Sequence, residues 1–202
     1  MGTLGLRLIR TLAILALTCA SAWGQHYSFK FYGEEEGLQN LGVQVVLQDR
    51  AGFLWVGTQN GLYRYDGSRF SSFSKHEGLP GTRIESLHQS ADGTLWVGTR
   101  SGLARQVKDH FETVPIRLEK GAIAEGIVGR QGIVTNARGE LFLATERGLV
   151  RGAQTKGAWQ FTAVAAPVAQ RDGPVVSVLV DEGGKVWFGC GTGLCLLDQN
   201  EV

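Results

Sequence analysis

The chain is poor in the residues on which many metal and nucleophilic sites depend. Its 202 residues include 3 cysteines, 4 histidines, 1 methionine and 4 prolines. The histidines, at positions 26, 76, 88 and 110, are dispersed and match no zinc-ligand spacing, so we expect surface or edge roles for His26, His76, His88 and His110 and no cofactor. The 20 lysines and arginines balance the 19 acidic residues, which leaves no excess charge to attract nucleic acid or an anionic membrane.

Long helical segments are also missing. No window beyond residue 24 shows a sustained 3.6-residue periodicity, which excludes a helical solenoid. The apolar run "TLAILAL" at residues 11–17 is shorter than the ~18–20 residues of a membrane-spanning helix.

That short run has the layout of a secretory signal peptide. Two arginines precede residues 11–17, and small residues follow them. We predict a signal peptide over residues 1–24, cleaved after Gly24, and a periplasmic or secreted mature chain without a membrane span. An uncleaved anchor and a lipoprotein modified at Cys19 are the alternatives.

Glycine, by contrast, is abundant, with 29 residues, and much of it falls in a repeat. Four copies, each anchored on an aromatic residue, lie 41, 46 and 45 residues apart, at Trp55, Trp96, Phe142 and Trp187. Glycine stands three positions before each aromatic and again six positions after it, at Gly61, Gly102, Gly148 and Gly193. Leucine always follows that second glycine, and a polar residue always stands six positions before the aromatic.

Each copy predicts four short antiparallel strands. Apolar segments such as "VQVVLQ" and "LWV" alternate with turn sequences such as "DRAG", and Asn60-Gly61 is a strong hairpin signal. A sheet with two apolar faces cannot bury both alone, whereas sheets arranged around an axis bury them against one another. The predicted fold class is therefore all-β: a partial β-propeller of four-stranded antiparallel blades, about four of which are present.

The segments "DRAGFLWVGTQNGLYRYDG" and "SADGTLWVGTRSGLARQ" resemble two-component regulator propeller repeats. The resemblance covers residues 27–202 and weakens at Phe142, Ala144 and Cys190, which replace the usual tryptophan, glycine and threonine. It implies the periplasmic sensor region of a hybrid histidine kinase or a diguanylate cyclase. Several such sensors bind saccharides, so a saccharide or another small ligand and the signalling domains of a longer protein are the implied partners.

The repeat predicts blades at about 37–77, 78–120, 127–166 and 172–202. Aligning Gly37 with Gly78 makes residues 27–32 an orphan outer strand, and the fourth blade lacks its own outer strand. Either residues 27–32 close a four-bladed ring, or the chain is an open arc of a larger propeller. We favour the arc, because propellers of the resembled family usually have more than four blades. In an open arc, the outer faces of the first and last blades are apolar and exposed to solvent, which predicts poor solubility or oligomerisation.

Catalytic chemistry is hard to place in the sequence. No nucleophile stands beside a base and no carboxylate pair stands out, so we predict a protein that is not an enzyme. We expect "EEE" at 34–36 to be a solvated charge run. The glycine-rich "GCGTG" at 189–193 lies between two predicted strands, whereas a dinucleotide-binding loop precedes a helix, so we do not expect a dinucleotide site there. Cys190 and Cys195 face each other across a predicted turn, either as a disulfide or as two buried thiols.

A candidate ligand surface comes from variation within the repeat. In a propeller, the turns between the second and third strands and the connections to the next blade lie on one face. The polar residues at these places are Gln59, Asn60, Arg100, Ser101, Glu146, Arg147, Gln39, Asn40 and Arg83. We expect an exported sensor segment that binds a ligand through this face, unless these residues are simply exposed turn residues. A protein-binding scaffold and a periplasmic propeller lyase are the alternative functions.

Overall fold

The structure, a computed structural model, describes residues 27–39, 42–118, 126–164 and 173–197. The predicted signal peptide and Asn40 lie outside these residues. The chain divides into two compact units, Met1–Phe31 and Tyr32–Val202. In the first unit, the rings of Tyr27 and Phe29 lie 6.5 Å apart.

The described residues of the second unit form four antiparallel sheets, one for each copy of the repeat. The first sheet holds β1 (Val43–Gln48), β2 (Leu54–Thr58), β3 (Gly61–Tyr65) and β4 (Phe70–Phe73). The second holds β5 (Ile84–Gln89), β6 (Leu95–Thr99), β7 (Gly102–Val107) and β8 (His110–Val114). The third holds β9 (Ile133–Thr135), β10 (Leu141–Thr145), β11 (Gly148–Thr155) and β12 (Ala158–Ala163), and the fourth holds β13 (Val178–Val180), β14 (Val186–Cys190) and β15 (Gly193–Leu197). The predicted all-β blade architecture is confirmed.

The expected outer strand over residues 27–32 is not among the described strands. Hydrogen bonds to a neighbouring strand satisfy the backbone groups of a strand, and residues 27–32 take part in none of the described ladders. Within the described residues, which stop at 197, the fourth sheet has three strands in the order β13, β14 and β15. The described part of the chain therefore contains no ring of four complete blades.

The turn between the first and second strands of each blade is built in the same way. The backbone N–H of Gly52 donates to the carbonyl of Asp49 at 3.0 Å, and equivalent bonds close the other three turns at Gly93, Gly139 and Gly184. These four glycines have φ values of 92°, 90°, 76° and 80°. This conformation explains why glycine stands three positions before each aromatic.

Two short 3₁₀ helices, Glu34–Glu36 and Lys75–Glu77, lead into the first two blades. The carboxylate of Glu36 accepts from the backbone N–H of Gly33 at 2.8 Å, and that of Glu77 accepts from Ser74 at 2.6 Å. The run "EEE" is thus a capped helical turn.

Three apolar clusters join consecutive sheets. Trp55 and Leu62 of the first blade pack with Ile84 and Leu87 of the second. Equivalent clusters join the second sheet to the third and the third to the fourth. The first strands contact one another in the order β1, β5, β9 and β13. These strands therefore form the inner edge of the stack, as in a propeller.

Candidate functional site

The hairpin turns between the second and third strands share one hydrogen-bond design. The hydroxyl of Thr58 donates to the carbonyl of Gly61 at 2.9 Å and accepts from the backbone N–H of Asn60 at 3.1 Å. Thr99 and Thr145 make the same pair of bonds in the next two blades. Because these buried threonines satisfy the turn backbone, the side chains at the turn tips are free to face solvent. The tip residues Gln59, Asn60, Arg100, Ser101, Glu146 and Arg147 are all exposed.

The connections between blades lie beside these turns. The backbone N–H of Gly61 donates to the carbonyl of Thr82 at 2.7 Å, and that of Arg100 donates to the carbonyl of Arg83 at 3.3 Å. Turn and connection therefore share one face, which we call the turn face. Gln39, also in a connection, is exposed, whereas Asn40 lies outside the described residues.

On the turn face, the structure brings together two predicted arginines and two glutamates. Arg83 Nε donates to Glu85 Oε1 at 2.7 Å, and Arg100 Nε lies 3.8 Å from the same oxygen. Arg100 also reaches the third blade, where its Nη2 lies 3.8 Å from Glu146 Oε1. A chain of opposite charges thus crosses from blade two to blade three. We call these four residues the arginine cluster.

Glu85 is the member of the cluster that the sequence analysis missed. It is 8% exposed as a residue, whereas the side chains of Arg83, Arg100 and Glu146 are 43%, 56% and 59% exposed. A carboxylate this buried is rarely found without a partner, and here two guanidinium groups supply the opposite charge. A charged residue inside the otherwise uncharged strand "IESLHQ" is the signal that could have revealed it.

Other predicted residues of the turn face do not join the cluster. In the described part of the chain, no hydrogen bond or ion pair links the side chains of Gln59, Asn60, Ser101 or Arg147 to it. They occupy neighbouring turns of the same face. The predicted site is therefore a polar surface with one charged centre.

A second polar region, unanticipated from the sequence, lies at the opposite ends of the strands. A cleft of 520 Å³ between blades two and three is lined by Asp92, Trp96, Arg138, Glu140 and Trp159 among others. The rings of Trp96 and Trp159 meet edge to face at 5.2 Å. We call this the Trp159 cleft.

Both acids of the cleft favour the charged form. Burial tends to raise the pKa of Glu140, but hydrogen bonds from Arg151 and Asn136 outweigh it and hold that pKa below its usual range. A hydrogen bond from the Ser90 hydroxyl lowers the pKa of Asp92.

Trp159 is the more distinctive residue of the cleft. Its indole Nε1 is buried and has no hydrogen-bond partner among the residues that the structure describes. A buried indole N–H usually has an acceptor. The sequence signal for it is a tryptophan that stands outside the repeat positions.

Cys190 and Cys195 form a disulfide in the fourth blade. Their Cα atoms are 5.8 Å apart, and both residues are buried. Cys190 occupies the place of the threonine that caps the turn in the other blades. The turn itself also differs, because the positive φ lies at Gly191 instead of at Gly193.

The histidines of the described residues do not form a cluster. His88 Nε2 lies 2.8 Å from the hydroxyl of Thr135, and burial lowers the pKa of its ring. His76 and His110 are exposed. Within the described ranges, no group of three or more His, Cys, Asp or Glu side chains is arranged to hold a metal ion. In the same ranges, no helix is long and apolar enough to cross a membrane.

The model of the two component regulator propeller family matches residues 37–60 and 78–101. These stretches run from the lead-in glycine to the β2–β3 turn in the first blade, and to the β6–β7 turn in the second. The lead-in and the first two strands of blades one and two therefore match the two component regulator propeller repeat, and the predicted resemblance is confirmed. A comparison with curated proteins finds no match.

Several solved structures share the fold. The extracellular domain of BT3049 from B. thetaiotaomicron, described as a hybrid two component system, has a TM-score of 0.71 at 23% identity over 85% of this chain and 25% of that chain. PorZ, a surface component of the type-IX secretion system of Porphyromonas gingivalis, has a TM-score of 0.62 at 16% identity, covering 85% of this chain and 28% of that one. Virginiamycin B lyase from Staphylococcus aureus has a TM-score of 0.58 at 14% identity, covering 86% of this chain and 56% of that one.

At these identities the similarity shows the propeller fold alone. The chain spans about a quarter of the length of the BT3049 domain that it matches.

Proposed function

We propose that this chain is the exported, ligand-sensing segment of a bacterial two-component-type signalling protein, with no catalytic activity of its own. Two regulator propeller repeats and a fold shared with the extracellular domain of BT3049 support this role. In this proposal the segment works outside the cytoplasm, and signalling domains outside these residues are its partners. Ligand binding on the turn face changes the activity of those signalling domains.

The arginine cluster is the observation that carries the binding site. The guanidinium of Arg100 lies 3.8 Å from a carboxylate oxygen of Glu85 and 3.8 Å from one of Glu146. Neither distance is a short hydrogen bond, so N–H groups of Arg100 are available to donate to a ligand. Arg83 is anchored by the short bond to Glu85 and stays partly exposed. Planar guanidinium donors beside carboxylate acceptors suit a ligand with hydroxyl and carboxylate groups. An acidic oligosaccharide is a ligand of this class.

A thermal-shift screen with neutral and acidic oligosaccharides, followed by calorimetric titration of each hit, tests the proposal. We expect an acidic oligosaccharide to raise the melting temperature and Arg100→Ala to abolish binding. Exposed ion pairs contribute only ~0–1 kcal/mol to stability, so this variant should stay folded. Arg69→Ala, a change to an exposed arginine between β3 and β4 that lies in neither candidate site, is the matched control. Binding that survives in Arg100→Ala, or no saccharide binding at all, would contradict the proposal.

The Trp159 cleft is a second candidate for the binding site. The partnerless indole N–H favours it, because a ligand oxygen could accept that hydrogen bond. Trp159→Phe removes the donor and keeps most of the apolar ring. Loss of binding in this variant, with Arg100→Ala unaffected, would move the ligand from the turn face to the cleft.

A further inference from the structure

The third strand of each of the first three blades carries an arginine that pairs with the repeat aromatic of the second strand. These arginines are Arg64, Arg105 and Arg151. In blade two, Arg105 donates to Glu112 Oε2 through Nη2 at 3.0 Å and through Nε at 3.3 Å. In blade three, Arg151 donates to the carboxylate of Glu140. The chain itself therefore supplies a carboxylate to the arginine in both blades.

Blade one keeps the arginine and lacks both acids. Across the sheet from Arg64, where blade two has Glu112, blade one has Ser71. Two residues before the repeat aromatic, where blade three has Glu140, blade one has Phe53. Among the described residues, Arg64 forms no ion pair. The place that a carboxylate occupies in the next two blades is thus without an acid in the first.

Three aromatic rings hold the guanidinium of Arg64. Its Cζ lies 4.8 Å from the centre of the Phe53 ring and 5.7 Å from the centres of the Trp55 and Phe73 rings. Stacking of this kind uses the faces of a guanidinium and leaves the N–H groups at its edge to hydrogen-bond. Nε of Arg64 is buried without a hydrogen-bond partner in the part of the chain that the structure describes, whereas the same atom of Arg105 binds a carboxylate.

The donors around this place are open to a ligand. Nε is the only nitrogen of Arg64 that is both buried and unpartnered, so its two Nη groups reach solvent. Ser71 is half-buried, and its hydroxyl takes part in no hydrogen bond within the described ranges. A guanidinium and a hydroxyl on neighbouring strands can both donate to one anionic group.

We propose that blade one binds the carboxylate of a small acid between Arg64 and Ser71, at the place that Glu112 fills in blade two. The carboxylate accepts charge-assisted hydrogen bonds from the guanidinium and a further bond from the hydroxyl. The site lies where blade one meets blade two, because Trp55 on the same face packs edge to face against Phe111 at 6.1 Å. It lies toward the opposite ends of the strands from the turn face.

The equivalent positions indicate which anion the site takes. The two neighbouring arginines are both paired with carboxylates, and the planar guanidinium fork matches the two oxygens of that group. A charge that is partly removed from water is stabilised by an opposite charge close by, and blade one leaves this charge to the ligand. The inference is independent of the proposed sensing role, since it uses no residue of the arginine cluster.

The side-chain ¹H–¹⁵N signal of Arg64 Nε tests the proposal, because a buried N–H exchanges slowly with water. Its absence from Arg64→Gln assigns the signal. Sodium acetate, titrated against sodium chloride at equal ionic strength, should shift the signal and reach saturation. Arg100→Ala should respond as the wild type does, which separates this site from the turn face. A shift that chloride reproduces, a shift that does not saturate, or binding of phosphate or sulfate without acetate would overturn the proposal.

Ser71→Glu supplies the missing acid within the chain and copies the pair of blade two. Its Nε signal should be displaced before any acetate is added and should show no further shift on titration. Ser72→Glu adds the same charge at the exposed neighbouring residue, whose side chain alternates to the other face of β4, and is the matched control. It should keep the acetate response of the wild type. Circular dichroism checks that both variants are folded, and an undiminished acetate response in Ser71→Glu would contradict the proposed site.

Discussion

The indole N–H of Trp55 donates a 2.7 Å hydrogen bond to the carboxylate of Asp49, six residues before it. The other carboxylate oxygen of Asp49 accepts from the backbone N–H of Phe53 at 2.9 Å. One aspartate thus ties the buried tryptophan to the turn that precedes its strand. The same relationship recurs in blades two and four, where Ser90 and Asp181 accept from Trp96 and Trp187.

Asp49→Ala should destabilise the protein by about 1.5–3 kcal/mol, because a charged acceptor is lost from a buried indole. Trp55 is 1% exposed, so its indole has little contact with water that could replace the carboxylate. Asp181→Ala is the matched control: Trp187 is half-buried, water can reach its indole, and the loss should be smaller. Urea unfolding followed by tryptophan fluorescence measures both. Equal losses in the two variants would contradict this account of the Asp–Trp pair.

Gly78→Ala should be among the most damaging single substitutions in the first two blades. Gly78 has φ 98°, and a Cβ there would lie 1.9 Å from the carbonyl oxygen of Phe111. Gly93 has a similar φ of 90° but nothing within 4 Å, so Gly93→Ala isolates the backbone strain. We expect about 1–2 kcal/mol for Gly93→Ala and about 4 kcal/mol or more for Gly78→Ala. If thermal unfolding gives similar values for both, the close approach to Phe111 is unimportant.

Much of the fold could be predicted because the repeat constrains it. The spacing of the aromatic residues places four sheets, and each glycine before an aromatic sits in a turn that demands positive φ. The third blade shows the limit of this approach. Ile127 pairs with Thr145, but β9 begins only at Ile133, so residues 128–132 interrupt the first strand. The hydroxyl of Ser86, in the neighbouring blade, accepts from the backbone N–H of Gly132 at 3.2 Å, a contact that no local pattern encodes.

The face on which the candidate site lies could be predicted from the sequence, whereas the contacts between its residues could not. The turn face follows from blade topology, so the exposed residues at its tips could be named. Glu85 shows in the sequence only as a charged residue within an otherwise uncharged strand. Its part in the arginine cluster depends on two arginines that reach it from a neighbouring connection and a neighbouring turn. The Trp159 cleft depends on the packing of one blade against the next, which a repeat pattern does not describe.

Reducing the Cys190–Cys195 disulfide should destabilise the fourth blade more than the others. The two cysteines are five residues apart, and closing so short a loop contributes about 2 kcal/mol in the chain-entropy account. Hydrogen exchange with and without dithiothreitol should show faster exchange over β14 and β15. The double variant Cys190→Ala/Cys195→Ala is the control and should show no response to the reductant in these strands. Uniform acceleration across all four sheets would instead indicate that the disulfide stabilises the whole stack.

His88 should make the protein less stable in mild acid. Burial disfavours the imidazolium and lowers the pKa of His88 in the folded state. The unfolded chain, with an ordinary histidine pKa of about 6.5, therefore binds more protons just below that value. The stability linked to His88 is fully present above about pH 6.5 and is lost as the pH falls from there toward the lower folded value. The free energy of unfolding, measured in urea between about pH 7.5 and pH 5, should fall accordingly.

His88→Gln tests whether this loss belongs to His88, because glutamine can still hydrogen-bond the hydroxyl of Thr135 and does not titrate. The variant should lose less stability than the wild type over the same pH range. His76→Gln, a change on an exposed side chain, is the matched control for removal of a histidine. If the wild type and His88→Gln lose the same free energy on acidification, then protonation of His88 does not oppose folding, and the contact with Thr135 tolerates a charged ring.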